Sequence, residues 1–286
     1  MVLPTHGELQ MSVTGCACDK MIIENSGRRN LFRENGDYRE QTVPGIKGVI
    51  TMPGMYYYYW DPTYILVLIG LVICLGASAL VNSTMSKYRK VNNSTGITGA
   101  EAARRILNSE GLYGVQVECL QQDSGDHYDP KSNTVRLSYS NYHKPTVTAV
   151  SVAAHECGHA IQHDKDYVFL NFRTALVPVV NIGSRLGVPL IILGVILSWN
   201  YWLIQIGIWA FALSLLFQVV TLPVEFNASA RAVAKIEQYG LLSHMENTGA
   251  KRVLTAAALT YVAAAASSAL QLLRLVLLFG GRRRND

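Results

Sequence analysis

Charge is what this sequence has least of: Asp, Glu, Lys and Arg make up 16% of its residues, against about 25% in ordinary globular chains. With half of the residues hydrophobic, the composition fits a membrane protein that also has a water-soluble part. Cysteine is also scarce. The five present are Cys16, Cys18, Cys74, Cys119 and Cys157; they form no disulfide framework and suit a reducing compartment. Cys16-Ala-Cys18 is half a metal site without a second half. The net charge of +5 is modest, and no basic-aromatic motif accompanies it, so nucleic acid is not an expected partner. Residues 1–54 lack both periodicity and an apolar h-region, so they do not form a signal peptide. They are expected to be a disordered leader ahead of Met55.

Long uncharged runs are present instead. Tyr64 to Val81 gives 18 residues without a charge, enough to cross a bilayer; the first span is placed at 55–81, entered through the aromatic cluster Tyr56–Trp60. Leu186 to Val224 gives 39, too many for one crossing. It suits a two-span hairpin over 186–222 turning near Asn200-Tyr201, with Trp199 and Trp202 as interface anchors and Arg185 snorkelling at the other end. Val253 to Leu273 is uncharged but Ala-rich and positively flanked at both ends; the segment 253–286 is read as a membrane-associated helix with a basic tail, a fourth span being the alternative. Lys87, Arg89 and Lys90 follow the first span with no acidic residue before Glu101, which turns that end to the cytoplasm.

Between these runs, 82–185 has the polarity of a water-facing domain. Thr98-Gly-Ala-Glu101 is a capping box that starts a helix, and Gly111 can end it. Val115–Gln121 and Asn133–Ser140 read as strands. In the loop between them, Asp126, His127 and Asp129 are turn residues rather than a second metal cluster.

Within the same domain stands His155-Glu156-Cys157-Gly158-His159. The segment before it, Thr146–Ala154, has no Gly or Pro and follows Pro145, so the histidines fall in the later turns of a helix. HExxH there puts two imidazoles one turn apart on one face, able to share a zinc ion, with Glu156 beside them as general base. Strand followed by HExxH helix is the zincin order, in which an edge strand can pair with an extended substrate.

A hydrolytic zinc site needs a third protein ligand and an open position. His163 continues the series but lies about 12 Å along the axis from His155, too far to join it. A metzincin would need Gly at 162 and His at 165, where this chain has Gln162 and Lys165. The best remaining ligand is Glu225, directly after the long uncharged run. A carboxylate there is either a helix-start charge or a metal ligand at the membrane surface, and the second reading is carried forward, with 223–252 as the region bearing the third ligand.

Asp61-Pro-Thr-Tyr-Ile65, Asp126-His-Tyr-Asp-Pro130, Ala154-His-Glu-Cys-Gly-His-Ala-Ile-Gln162 and Leu222-Pro-Val-Glu-Phe-Asn-Ala-Ser229 together resemble the YugP-like neutral zinc metallopeptidases, bacterial multi-pass membrane proteases, over roughly 61–284. A looser similarity joins the chain to membrane gluzincins of the heat-shock and prenyl-processing type, in which E-[FY]-x-A-D follows the membrane helices. There the glutamate ligates zinc and the aspartate buttresses a histidine. The resemblance carries the ligand role to Glu225, while Ser229 stands where the aspartate would be. Ser229 or Asn227 is left to serve as a weaker buttress.

The expectation is an α-helical multi-pass membrane protein of three or four spans with a small α+β zincin-like cytoplasmic catalytic domain. One Zn2+ is held by His155, His159 and Glu225, Glu156 is the base, and the partners are the bilayer and a peptide or protein substrate. Tyr139, Tyr142, His143 and Arg231 are candidate oxyanion donors. An intramembrane site-2-type protease is the rival mechanism, disfavoured because Asp164-Lys-Asp166 closes the HExxH segment and no later Asn-Pro and Asp-Gly pair appears. A membrane scaffold with a structural zinc, closed by His163 or His244, is the rival from another class.

Overall fold

The computed structural model describes residues 61–279 and, before them, two four-residue strands, β1 (Leu31–Glu34) and β2 (Asp37–Glu40), which pair antiparallel in a unit of their own. The rest of the expected leader lies outside the described residues, including Cys16, Cys18 and the Tyr56–Trp60 cluster.

The main unit is mostly helical. It runs α1 (Tyr64–Tyr88), α2 (Gly99–Ser109), β3 (Gln116–Cys119), β4 (His127–Asp129), β5 (Thr134–Leu137), α3 (Tyr139–His143), α4 (Val147–Asp164), α5 (Val168–Ile196), α6 (Tyr201–Gln238) and α7 (His244–Phe279). Four of these helices, α1, α5, α6 and α7, are long and apolar enough to cross a membrane. On α1 the large apolar side chains stand out from the protein, Val72 at 67% and Leu75 at 60% exposure. Such a surface is stable against lipid and not against water.

The core of the small domain is shared with α6 and α7, through Ala232, Ile236, Ala250 and Leu254. Ile106 and Leu107 from α2, Val135 and Leu137 from β5 and Val150 and Ile161 from α4 are fully buried together. Thr98 and Glu101 form both halves of the capping box, which satisfies two orphan N–H groups at the start of α2. The sheet corrects the sequence reading. The loop between the two expected strands contains a third, β4, and the order is β3-β5-β4 with β3 parallel and β4 antiparallel to β5. The strand that precedes the HExxH helix is therefore central, with both edges already hydrogen-bonded, and cannot itself take a substrate strand. Arg136 on β5 ties the layer together through Glu118 on β3 and Asp129 on β4, at 3.0 Å each.

The hairpin turns at Leu197–Asn200, as expected from Asn200-Tyr201, and Asn200 caps α6 by accepting from Leu203 N–H. Each arm extends beyond the end of the uncharged run. Helix α5 begins at Val168, so Arg185 lies within it rather than at its end. Helix α6 continues through Pro223 to Gln238 without a break. Glu225 is thus in the body of a helix, which removes the helix-start reading of its charge.

Helix α7 settles alongside α1 in antiparallel fashion. Tyr88 meets Gly249, the Cys74 thiol points at the Ala263 carbonyl, Gly70 meets Ser267, and Asp61 pairs with Arg274 at 3.5 Å. At its far end, Leu272, Leu275 and Phe279 pack on Ile191, Ile204 and Ile208 at the hairpin tip. A helix lying flat on the bilayer would touch neither the whole length of α1 nor that tip. Helix α7 thus packs along the bundle and is a fourth helix long and apolar enough to span, the alternative the sequence left open for this segment.

Helix α4 crosses α6 at Gly158. A Cβ there would lie 2.6 Å from the Ala228 carbonyl oxygen and 3.2 Å from its Cα, so the backbones meet with no side chain between them. Val224, Ala228, Ala232 and Ile236, spaced by four, form the buried stripe of α6. Gly158→Ala should force the helices apart, at about 1–3 kcal/mol, and lower zinc content with stability. Unchanged unfolding and full zinc occupancy in the purified variant would show that the contact does not set the helix spacing.

Candidate metal centre

The α4–α6 crossing determines which side chains meet. His155 and His159 project from successive turns of α4, and Glu225 comes from α6, one residue beyond the contact stripe. The separations are 3.2 Å between the two Nε2 atoms, 3.3 Å from His155 Nε2 to Glu225 Oε2 and 3.6 Å from His159 Nε2 to the same oxygen. A tetrahedron with arms of about 2.05 Å has edges of about 3.35 Å, so the three donors already stand at the spacing of three zinc ligands. Glu225 is 3% exposed, and its Oε2 has no hydrogen-bond partner. An orphaned buried carboxylate oxygen is costly, and a bound cation at this triangle would satisfy it. Among the described residues, this is the one group of three such donors that converges.

The other face of each imidazole is held. Ser229, one turn after Glu225, places its Oγ 3.2 Å from His155 Nδ1. Gln162, one turn after His159, places Oε1 3.0 Å from His159 Nδ1. Fully buried Gln162 also donates to the Val224 carbonyl at 2.8 Å and to Asn227 Oδ1 at 3.0 Å, and Asn227 in turn accepts from Arg231 Nε at 2.7 Å. Ser229 is therefore the buttress of His155, and Asn227 acts one step further out. Holding Nδ1–H in this way leaves each Nε2 free to ligate. Burial alone would lower the pKa of His159, but the nearby carboxylates of Glu225 and Glu156 more than offset this and raise it above its ordinary value. The centre attracts positive charge.

Glu156, Glu225 and His155 open onto a cavity of ≈ 270 Å³. Its walls come from the end of α1 (Met85, Arg89), the loop before β4 (Gly125, Asp126) and α7 (Val253, Leu254, Ala257, Ala258, Tyr261). Two residues that reach Glu225 carry no motif. Tyr261, deep in the Ala-rich helix, comes close enough to Glu225 to interact with it, and Arg173 of α5 places Nη1 3.9 Å from Glu225 Oε1. Gln162 was visible in sequence only as the residue that excludes a metzincin, although its i+3 spacing from His159 puts it on the ligand face.

Other candidates fall away from the centre. The Tyr128 hydroxyl, its pKa pushed up to about 12 by burial and by Asp129 and Asp164, donates to Asn133 Oδ1 and stands 2.9 Å from His163 Nδ1. His163 is thereby engaged with Tyr128, one helical turn beyond the donor triangle. His244 is the first residue of α7 and does not join the donor triangle. Asp126 accepts from Ser138 N–H and Asn141 Nδ2, Asp129 from Lys131 N–H, Ser132 and Arg136, and His127 Nδ1 pairs with the Gly125 carbonyl. All three are engaged in local hydrogen bonds, His127 and Asp129 within strand β4 rather than in a turn. His143 packs between Tyr139 and Tyr142, and Arg231 is used by Asn227; none of these four expected oxyanion donors lines the cavity. Ser229→Ala should weaken zinc binding about 10–100-fold, read by competition with a chelator. Unaltered affinity would show that the hydroxyl is not a functional buttress.

Comparison with known proteins gives the same answer from a different direction. The family model described as "Putative neutral zinc metallopeptidase" matches residues 63–280. A protein of Bacillus subtilis (strain 168) described as "Putative membrane protease YugP" is 47% identical over 221 residues, covering 77% of this chain and 98% of that protein. No solved structure matches the chain. The family match spans the HExxH helix, Glu225 and all four long apolar helices, and on that breadth and the 47% identity the chain belongs to the neutral zinc metallopeptidase family.

Proposed function

We propose that this chain is a membrane-embedded zinc metallopeptidase whose ion is held by His155, His159 and Glu225 and whose site faces the cytoplasm. The observation that carries the reading is the orphaned Glu225 Oε2 at zinc-ligand spacing from two buttressed imidazoles. A zinc ion there supplies a bound water of lowered pKa and polarises the scissile carbonyl. Glu156, on the cavity wall beside His155, takes the proton of the attacking water and passes it to the departing amine. Tyr261 is placed to donate its hydroxyl to the carbonyl oxygen as charge develops on it. The α7 wall of Val253, Leu254, Ala257 and Ala258 excludes water and favours an apolar substrate side chain.

Three features support this reading over its rivals. Helix α4, which carries both histidines, is not among the helices apolar enough to span, which speaks against a site-2-type arrangement. Among the described residues three donors converge without a fourth, which suits the open position of a catalytic centre rather than the closed set of a structural one. Lys87, Arg89 and Lys90 at the end of α1 and Lys251 and Arg252 near the start of α7 stand at the site end of the bundle, as the positive-inside rule requires of a cytoplasmic face.

The test is metal analysis and a casein or peptide-library assay on the full chain in detergent. Glu156→Gln should retain zinc and lose about 10²–10⁴ in turnover, whereas Glu225→Ala should lose the zinc itself. Tyr261→Phe should keep zinc and lower kcat about 10²–10³-fold with KM little changed. Full turnover by Glu156→Gln would remove Glu156 as the base, and full zinc content in Glu225→Ala would remove the third ligand.

A further inference from the structure

The α1–α7 pair has two flanks. One forms a wall of the metal cavity; the other opens as a second cleft of ≈ 450 Å³ that the hydrolytic reading does not use. Its site-end rim carries Lys87 from α1 and Lys251 and Arg252 from α7, all exposed. No ion pair joins any of the three to an acidic residue among those described, and no Asp or Glu lines the cleft. Tyr88 forms the floor between them: Lys87 Nζ lies 5.5 Å from its ring centroid, and Arg252 Nη1 3.5 Å from its hydroxyl. Away from the rim the lining becomes apolar. Leu80 and Leu259, both exposed, stand about two helical turns, roughly 10 Å, further into the bundle.

Three uncompensated cations at one end of a cleft between two membrane-length helices, with leucines at the other end, match one kind of molecule. We propose that this cleft binds an anionic phospholipid. The phosphate sits among Lys87, Lys251 and Arg252, and an acyl chain runs along Leu80 and Leu259. Cations clustered where membrane helices meet the surface recognise anionic headgroups through charge, and the apolar extension distinguishes a lipid from a soluble phosphate ester, which would leave that surface uncovered. Mutual repulsion of the three cations also gives the bare cleft a reason to take up a counter-charge. The site is independent of the peptidase reading. Its consequence for the neighbouring cavity is mechanical, since the bound lipid wedges against the same two helices whose opposite flank includes Met85 and Tyr261.

The experiment uses the full chain, delipidated in detergent, with labelled phosphatidylglycerol and phosphatidylcholine as probes and glycerol phosphate as competitor. Wild type should retain phosphatidylglycerol over phosphatidylcholine. The triple variant Lys87→Gln, Lys251→Gln, Arg252→Gln should bind phosphatidylglycerol on the order of a hundredfold more weakly. Leu259→Trp, which fills the apolar end, should also weaken retention. Lys251→Glu, a single exposed change, replaces the triple variant if the latter unfolds, and should lower phosphatidylglycerol binding as well. Equal retention of the two lipids by wild type, wild-type affinity in the charge variants, or displacement by glycerol phosphate at concentrations matching the lipid's own would each overturn the proposal.

Discussion

Everything about the metal centre depends on one contact between backbones. Two helices can exchange ligands for a single ion only if their axes approach within the reach of a histidine and a glutamate, and here the absence of a side chain at Gly158 opposite Ala228 permits it. The rest follows from registration. With α6 seated against α4 by its buried stripe, Glu225 and Ser229 fall on the neighbouring face, one turn apart, where the first reaches both imidazoles and the second reaches behind one of them. Gln162 locks the same crossing from the other helix by donating to the Val224 carbonyl. The hydrogen bonds that orient the ligands are thus the same ones that pin the helices together.

Much of this was legible in the residues because it is local. HExxH encodes a face, the capping box encodes a helix start, and Asn200 beside two tryptophans encodes a turn. Glu225 could be singled out because a carboxylate following so long an uncharged run has few reasons to exist. What the residues did not show is non-local. Whether Asn133–Ser140 is an edge or a centre depends on β4, three residues hidden in a loop rich in turn formers, and on a parallel partner far away in sequence. The lengths of α5 and α6 escaped because hydropathy registers charge whereas helix continuity is set by backbone hydrogen bonds, which run past Arg173, Arg185 and Glu225 undisturbed. Tyr261 and Arg173 have no motif. They matter through position alone, and position was supplied by packing.

The four long helices do more than anchor. Helix α6 delivers Glu225, the proposed third ligand, α5 brings Arg173 to it, and α1 and α7 close the cavity. The small domain supplies two imidazoles and Glu156 but not the whole donor triangle. Catalytic competence on this architecture is a property of the assembled bundle, and a fragment comprising only the polar domain would lack a ligand and two walls.

Serine at 229 changes the charge count of the centre. Two neutral imidazoles and one carboxylate leave a dication with one positive charge in excess, and an aspartate behind His155 would cancel it. A hydroxyl orients the ring equally well but contributes no charge, so His155 is a poorer electron donor here than an aspartate-backed histidine would be. A zinc ion held by these residues would be correspondingly more electrophilic than one at an aspartate-backed centre. Serine at 229 would thus exchange some grip on the metal for a stronger Lewis acid.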